Sequence, residues 1–240
     1  MSEHPPLVLC RGVDRTYGHA SAATVALAPT DCEVRREDRI ALVGPSGSGK
    51  STLLHLMAGL DSPTHGQISW PAIGRRDELA PGRVAVIFQG PSLLPDLTVR
   101  ENVALALVLD GLRDVAARAR ADEALALLDL GELADKLPEE ISGGQAQRVA
   151  VARALAGAPI LILADEPTGQ LDRANGAAVV DVLLDAAAHA GAALVVATHD
   201  PTVAERFAAR WEMHSGRLTG APASTSEPLP DAPEERSWSR

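Results

Sequence analysis

Gly44-Pro45-Ser46-Gly47-Ser48-Gly49-Lys50-Ser51-Thr52 decides the reading of this 240-residue chain. The stretch fits G-x-x-x-x-G-K-[ST], a phosphate-binding loop. A triphosphate needs several backbone N–H groups converging on its oxygens, so the loop must curl tightly. Gly44, Gly47 and Gly49 lack the Cβ that would oppose the curl. Lys50 has the reach for β- and γ-phosphates, and the Ser51 hydroxyl suits Mg²⁺. The flanks have the form the motif requires. Ile40-Ala41-Leu42-Val43 reads as a buried strand, and Leu53, Leu54, Leu56, Met57 and Leu60 recur at helical spacing. A helix starting near Lys50 aims its positive end at the phosphates. Of the 22 basic residues only Lys50 and Lys136 are lysines, so the chain's preference for arginine yields at the motif position.

The bulk properties narrow the classes. A hydrophobic content of 46% supplies a core, and an aromatic content of 2% means that Ala, Leu and Val build it. The net charge of −10, without any basic run, argues against a nucleic-acid surface. Cys10 and Cys32 are too few for a disulfide framework and lack metal-ligand spacing, which predicts a reducing cytosol. Met1-Ser2-Glu3-His4-Pro5-Pro6 has no basic or apolar region of a signal peptide. The longest apolar run, 103–109, is far short of the ~20 residues of a membrane helix, so a membrane role requires a separate partner.

Along the chain, strands are predicted at 7–13, 25–28, 31–34, 40–43, 67–70, 84–88, 160–164 and 192–197. Helices are predicted from Lys50 and over 98–109, 115–130, 142–156, 174–190 and 203–210. A hairpin over 211–218 turns at Ser215-Gly216. Thr98 with Glu101, and Ser142 with Gln145, have the spacing of capping boxes. Residues 221–240, rich in Pro, Ser and Glu, predict a disordered tail. Strands alternating with helices imply a parallel α/β sheet, where ligands sit at the carboxyl ends of strands.

Four predicted strands end on polar residues suited to phosphate chemistry. The first leads into the phosphate loop. Asp165 follows an apolar run and suits the Mg²⁺ site beside Ser51. Glu166 is the candidate base for the attacking water. Alone, two such carboxylates read better as a solvated acidic turn; the phosphate loop reverses that preference. His199 suits a hydrogen bond to the γ-phosphate, and Gln89 suits Mg²⁺ or the attacking water. Tyr17, the only tyrosine, suits stacking on a base, against the plainer reading of a surface aromatic. Ser142-Gly143-Gly144-Gln145 opens a helix closely approachable by phosphate, a second anion site.

Lys50, Gln89, Ile141-Ser142-Gly143-Gly144-Gln145, Asp165-Glu166, Leu171-Asp172 and His199, in this order, resemble the nucleotide-binding domain of an ABC transporter. The resemblance covers about 7–218. It implies an α/β phosphate-loop NTPase core with a mainly parallel sheet, an N-terminal antiparallel β subdomain and an α-helical insert subdomain near 90–140. It implies that the ATP-binding domain fills 1–220 and lies peripherally on the cytoplasmic face of the membrane. Two copies, or one copy and a paired ATPase, would sandwich two ATP with Mg²⁺. Each ATP would lie between the phosphate loop of one copy and Ser142, Gly143 and Gly144 of the other, with Asp172 at the seam. The insert resembles the part that contacts separately encoded membrane permease subunits. The stretch 93–103 is similar to the branch serving lipoprotein release and macrolide export. Ile141, Ala146 and Gln170 depart from the commoner residues, and none is a catalytic group. Two other roles stand as alternatives: an ATPase that works an envelope enzyme without moving cargo, which the sequence leaves open, and a soluble ABC ATPase of DNA repair or ribosomes. The second conflicts with the acidic balance and single compact domain.

Overall fold

The computed structural model describes residues 4–18, 22–79, 82–169 and 171–221, so the expected tail and Gln170 lie outside the described residues. Two sheets and six helices build the described fold. The first sheet is antiparallel, with order β2-β1-β4: β1 is Val8–Tyr17, β2 Thr24–Val34 and β4 His65–Ser69. The second has order β5-β6-β7-β3-β8-β9: β3 is Arg39–Val43, β5 Val84–Ile87, β6 Leu161–Asp165, β7 Ala193–Thr198, β8 Ala209–His214 and β9 Arg217–Thr219. All its pairings are parallel except β8 with β9.

The central strands are apolar throughout because helices or the smaller sheet cover both faces. Alternation divides them cleanly. Ala41, Ile162, Ala164, Leu194 and Val196 face one core, with the helices α2 (Val99–Leu109), α3 (Asp114–Ala126), α4 (Gly143–Leu155) and α5 (Arg173–Ala190). Ile40, Leu42, Leu161, Leu163 and Val195 face the other, with α1 (Lys50–Met57) and the antiparallel sheet.

Sequence and structure part in four places. The expected strands 25–28 and 31–34 are one strand, β2. Pro29 does not interrupt it, because it falls at the register shift between the Val13–Thr30 and Arg15–Leu27 pairs, where the ladder steps past a residue. Strand β1 runs on to Tyr17, paired with Thr24. Helix α3 stops at Ala126 rather than near 130. The helix expected over 203–210 is only α6, Pro201–Ala204, and β8 begins at Ala209. Ile40 to Val43 supply β8 with a parallel partner, and Trp211 and Met213 point into the core on alternate positions.

The segment before α2 is fixed by Asn102, which is 1% exposed. Its Oδ1 accepts from the Leu94 N–H at 2.7 Å, and its Nδ2 donates to the carbonyls of Leu94, Leu97 and Thr98 at 2.9–3.1 Å. Thr98 caps α2, and Glu101 returns a bond to the Thr98 N–H at 3.0 Å, completing the expected box. Asn102→Leu strands these buried groups. We expect a loss of about 1–3 kcal/mol in urea unfolding, and a change under a few tenths would contradict the role.

Candidate functional site

The phosphate loop joins β3 to α1 and is wedged between the two sheets. The Gly216 N–H donates to the Ser48 carbonyl at 2.9 Å, and the Ala28 N–H donates to the Gly216 carbonyl at 2.8 Å. The β8–β9 turn therefore ties the loop to β2. Gly49 stands at φ +105°, and a Cβ there would lie 2.3 Å from the Ala26 carbonyl oxygen. A Cβ on Gly44 would lie 2.2 Å from the Met213 carbonyl oxygen. Gly47, at φ +75°, has open space where its Cβ would be. No side chain caps α1, and its first turn contains no acidic residue. Its first N–H groups are left for an anion.

Strand order brings the other candidates to this loop. β6, β7 and β3 are neighbours and β5 follows at the edge, so their carboxyl ends align. A cleft of about 550 Å³ is lined by Pro45, Ser46, Gly47, Ser48, Gly49, Lys50, Ser51 and Thr52, and by Ala26, Gln89, Glu166 and His199. It is larger than two other clefts, of about 170 and 250 Å³.

Lys50 is almost fully buried. Its Nζ donates to the carbonyls of Gly44 at 2.8 Å and Pro45 at 3.2 Å, and lies 3.5 Å from Glu166 Oε1. The other oxygen of Glu166 lies 2.8 Å from His199 Nδ1. Glu166 has φ +48°, a left-handed conformation that costs a non-glycine residue about 1–3 kcal/mol. Its N–H donates to the Ala197 carbonyl, and its own carbonyl accepts from the Gly169 N–H, both at 3.0 Å. This turn directs Glu166 into the cleft while Asp165 remains the last residue of β6.

Asp165 is buried, and its Oδ1 has no hydrogen-bond partner in the fold. Alternation along β6 puts it on the α1 face of the sheet, the side of Ser51. Asp165 is not among the residues lining the cleft, but a buried carboxylate oxygen with no partner suits a hard cation. Among the described residues no group of three or more His, Cys, Asp or Glu could hold a metal. Oxygen donors such as Asp165 suit Mg²⁺, which commonly takes one or two carboxylates together with phosphate oxygens. Gln89 approaches the turn: a Cβ on Gly169 would lie 4.0 Å from its Nε2.

The fold does not bring every candidate into the cleft wall. Ser142 caps α4, and Gln145 returns its bond to the Ser142 N–H at 2.8 Å, as the spacing predicts. Yet Ser142, Gly143, Gly144 and Gln145 are not among the lining residues. A Cβ on Gly144 would lie 3.2 Å from Leu171, so this turn packs on the segment leading to Asp172. Asp172 caps α5, accepting from the Asn175 N–H at 2.9 Å. Tyr17 also lies outside the lining; its partner Thr24 is two residues from Ala26, which is within it.

Two contacts escaped the sequence reading. Arg153 donates to the carbonyls of Pro91 and Ser92 at 3.0 Å, holding the loop after Gln89, and burial lowers its guanidinium pKa. Gln147 is fully buried and donates to the Phe88 carbonyl at 3.3 Å. A polar residue one turn before Ala150 and Val151, on the apolar stripe of α4, was the available signal.

A family model described as ABC transporter matches residues 27–169, more than half of the chain. The chain belongs to the ABC transporter ATP-binding family. Solved ABC cassettes agree. The dimeric post-hydrolysis state of the ATP-binding cassette MJ0796, bound to ADP and Pi, is 33% identical with a TM-score of 0.80, covering 90% of this chain and 100% of that one. A second dimeric structure of MJ0796, described as a bacterial ABC transporter cassette, gives the same figures. CbiO1 from Clostridium perfringens, part of the ABC transporter complex CbiONQ, is 26% identical with a TM-score of 0.77, covering 90% and 88%. The protein is an ABC ATPase cassette with the phosphate-loop NTPase fold.

Gly49→Ala tests the need for a bare ABC loop backbone. The clash and positive φ should lower nucleotide affinity by about tenfold or more. Fluorescent-nucleotide titration beside circular dichroism measures this, and undiminished affinity contradicts the packing account.

Proposed function

We propose that this cassette is the ATP-hydrolysing subunit of an ABC transporter. In this reading it pairs head-to-tail around two ATP with Mg²⁺, and it drives separately encoded membrane permease subunits from the cytoplasmic face. The observation that carries it is the division of the anion sites. The phosphate cradle and Glu166 share a cleft, whereas the Ser142 helix end lies outside it. A second copy turned head-to-tail would bring its Ser142, Gly143, Gly144 and Gln145 to the open side of the cradle, with Asp172 near the seam. The dimeric form of MJ0796 and the membership of CbiO1 in a transporter complex support extending pairing and membrane partners to this chain. Among the described residues no helix is long and apolar enough to cross a membrane, in keeping with separate permeases. The likeness of 93–103 to the lipoprotein-release and macrolide-export branch favours an export or envelope-linked system.

The chemistry follows from charge. The N–H groups of Gly47, Gly49 and Lys50 hold phosphate oxygens in a preorganised array, which stabilises developing charge at no reorganisation cost. Lys50 exchanges two carbonyls and Glu166 for the β- and γ-phosphates. Glu166, released from Lys50, accepts a proton from the attacking water, and His199 fixes its carboxylate. Asp165, Ser51 and Gln89 suit the metal, whose charge offsets that of the phosphates. Tyr17 takes the adenine.

Glu166→Gln should bind ATP normally and hydrolyse it about 10²–10⁴-fold more slowly, the range for a lost general base. Light scattering with ATP should then show a lasting dimer. Near-normal turnover removes Glu166 from the role of base. Lys50→Ala should lose ATP binding itself, and an unchanged Kd would sink the phosphate-loop reading.

A further inference from the structure

The segment that follows α1 carries a carboxylate not used above. Asp61 Oδ2 accepts from the Tyr17 hydroxyl at 2.8 Å and from Arg15 Nε at 2.9 Å. Arg15 Nη2 lies 2.8 Å from Asp61 Oδ1, making the pair a two-pronged one. The Arg15 guanidinium also lies over the Tyr17 ring, 4.6 Å from its centroid. One carboxylate therefore holds both the edge of the ring and the cation that covers one of its faces. Burial would raise the Asp61 pKa, but the bonds from Tyr17, the Ser62 N–H and Arg15 hold it below the usual carboxylate range. Asp61 is itself anchored. The Asp61 N–H donates to the His55 carbonyl in α1 at 3.3 Å, and Arg76 donates to the Asp61 carbonyl at 3.1 Å. The neighbouring Thr64 side chain accepts from the Thr16 N–H at 2.9 Å. The end of β1 is thus laced to the exit of the helix whose entrance forms the phosphate cradle.

A ring on a strand end should swing about its χ angles. Here the hydroxyl is tied and one face is occupied, yet 40% of the residue is exposed. With Arg15 over one face, only the other can take a stacked base.

We propose that Asp61 and Arg15 are positioning residues that hold Tyr17 as a one-faced platform for the nucleobase, at a fixed offset from the phosphate cradle. The proposal rests on the reading of Tyr17 as the adenine contact. Pre-ordering the ring removes the entropy otherwise lost when a base stacks on it. Because the hydroxyl is already donated to Asp61, the platform binds the base by its face.

The test compares AMP-PNP with inorganic tripolyphosphate, which has the phosphates and no base. Calorimetric Kd values are measured with Mg²⁺ on the full chain. Asp61→Ala and Arg15→Ala should weaken AMP-PNP by about 5- to 20-fold, within the range of one lost base stack, and leave tripolyphosphate within about twofold. If Asp61→Ala does not fold, Asp61→Asn keeps the volume and should show the same split, smaller. Equal weakening of both ligands makes the cluster a general support of α1 and overturns the proposal. Tyr17→Ala separates the underlying reading. If it weakens AMP-PNP while the Asp61 and Arg15 variants do not, Tyr17 takes the base unaided and the positioning role is wrong. If Tyr17→Ala changes nothing, the adenine contact lies elsewhere and both readings fall.

Discussion

The molecule depends on the approach of one carbonyl to one glycine. Gly49 begins α1 directly against the Ala26 carbonyl of β2, at a distance no side chain would tolerate. That contact requires β2 to run unbroken beside the loop, and β2 does so as the edge of the antiparallel sheet. It also requires the β8–β9 turn, whose Gly216 bonds to both the loop and β2. The atoms closest to Gly44 and Gly49 are main-chain carbonyl oxygens, and main-chain hydrogen bonds through Gly216 tie the loop to β2, so backbone contacts set much of its curl. The result is an uncapped helix end facing a cleft, a fixed field awaiting an anion.

The second constraint is where the charges rest. Lys50 lies buried against two carbonyls and Glu166, and Glu166 against His199. A buried ammonium needs such partners, because burial of a lone charge is costly. A triphosphate offers better partners, so in the proposed mechanism binding frees Glu166 when water is to be activated. The left-handed turn at Glu166 gives Asp165 and Glu166 separate directions although they are adjacent in sequence, which lets the proposed mechanism give them separate tasks.

Much of this was legible in the sequence, for local reasons. The phosphate loop, the capping boxes at Thr98 and Ser142, and the apolar strands ending in Asp165 and Thr198 are set by residues within a few positions of one another. The strands and helices misjudged were decided at a distance. The two strands expected at 25–28 and 31–34 join into β2, because pairing with β1 carries through a register shift at Pro29. The helix expected over 203–210 gave way because β3 offers Ala209 to Glu212 a parallel partner, and Trp211 and Met213 are buried. The alternation of 210–214 was the overlooked clue. Sheet order, the orphaned oxygen of Asp165 and the grip of Arg153 on the loop after Gln89 join residues many tens of positions apart, and no local pattern encodes them.

The central claim is that one chain holds half of a working site. Ser142→Arg and Lys50→Ala disable, in this account, opposite halves, so each variant alone should be inactive. Mixed in equal amounts with ATP, they should form heterodimers in which one site pairs an intact phosphate loop with an intact Ser142 turn. The account predicts partial recovery of ATP hydrolysis on mixing. No recovery, with heterodimers shown to form, contradicts it and returns the complete site to a single chain.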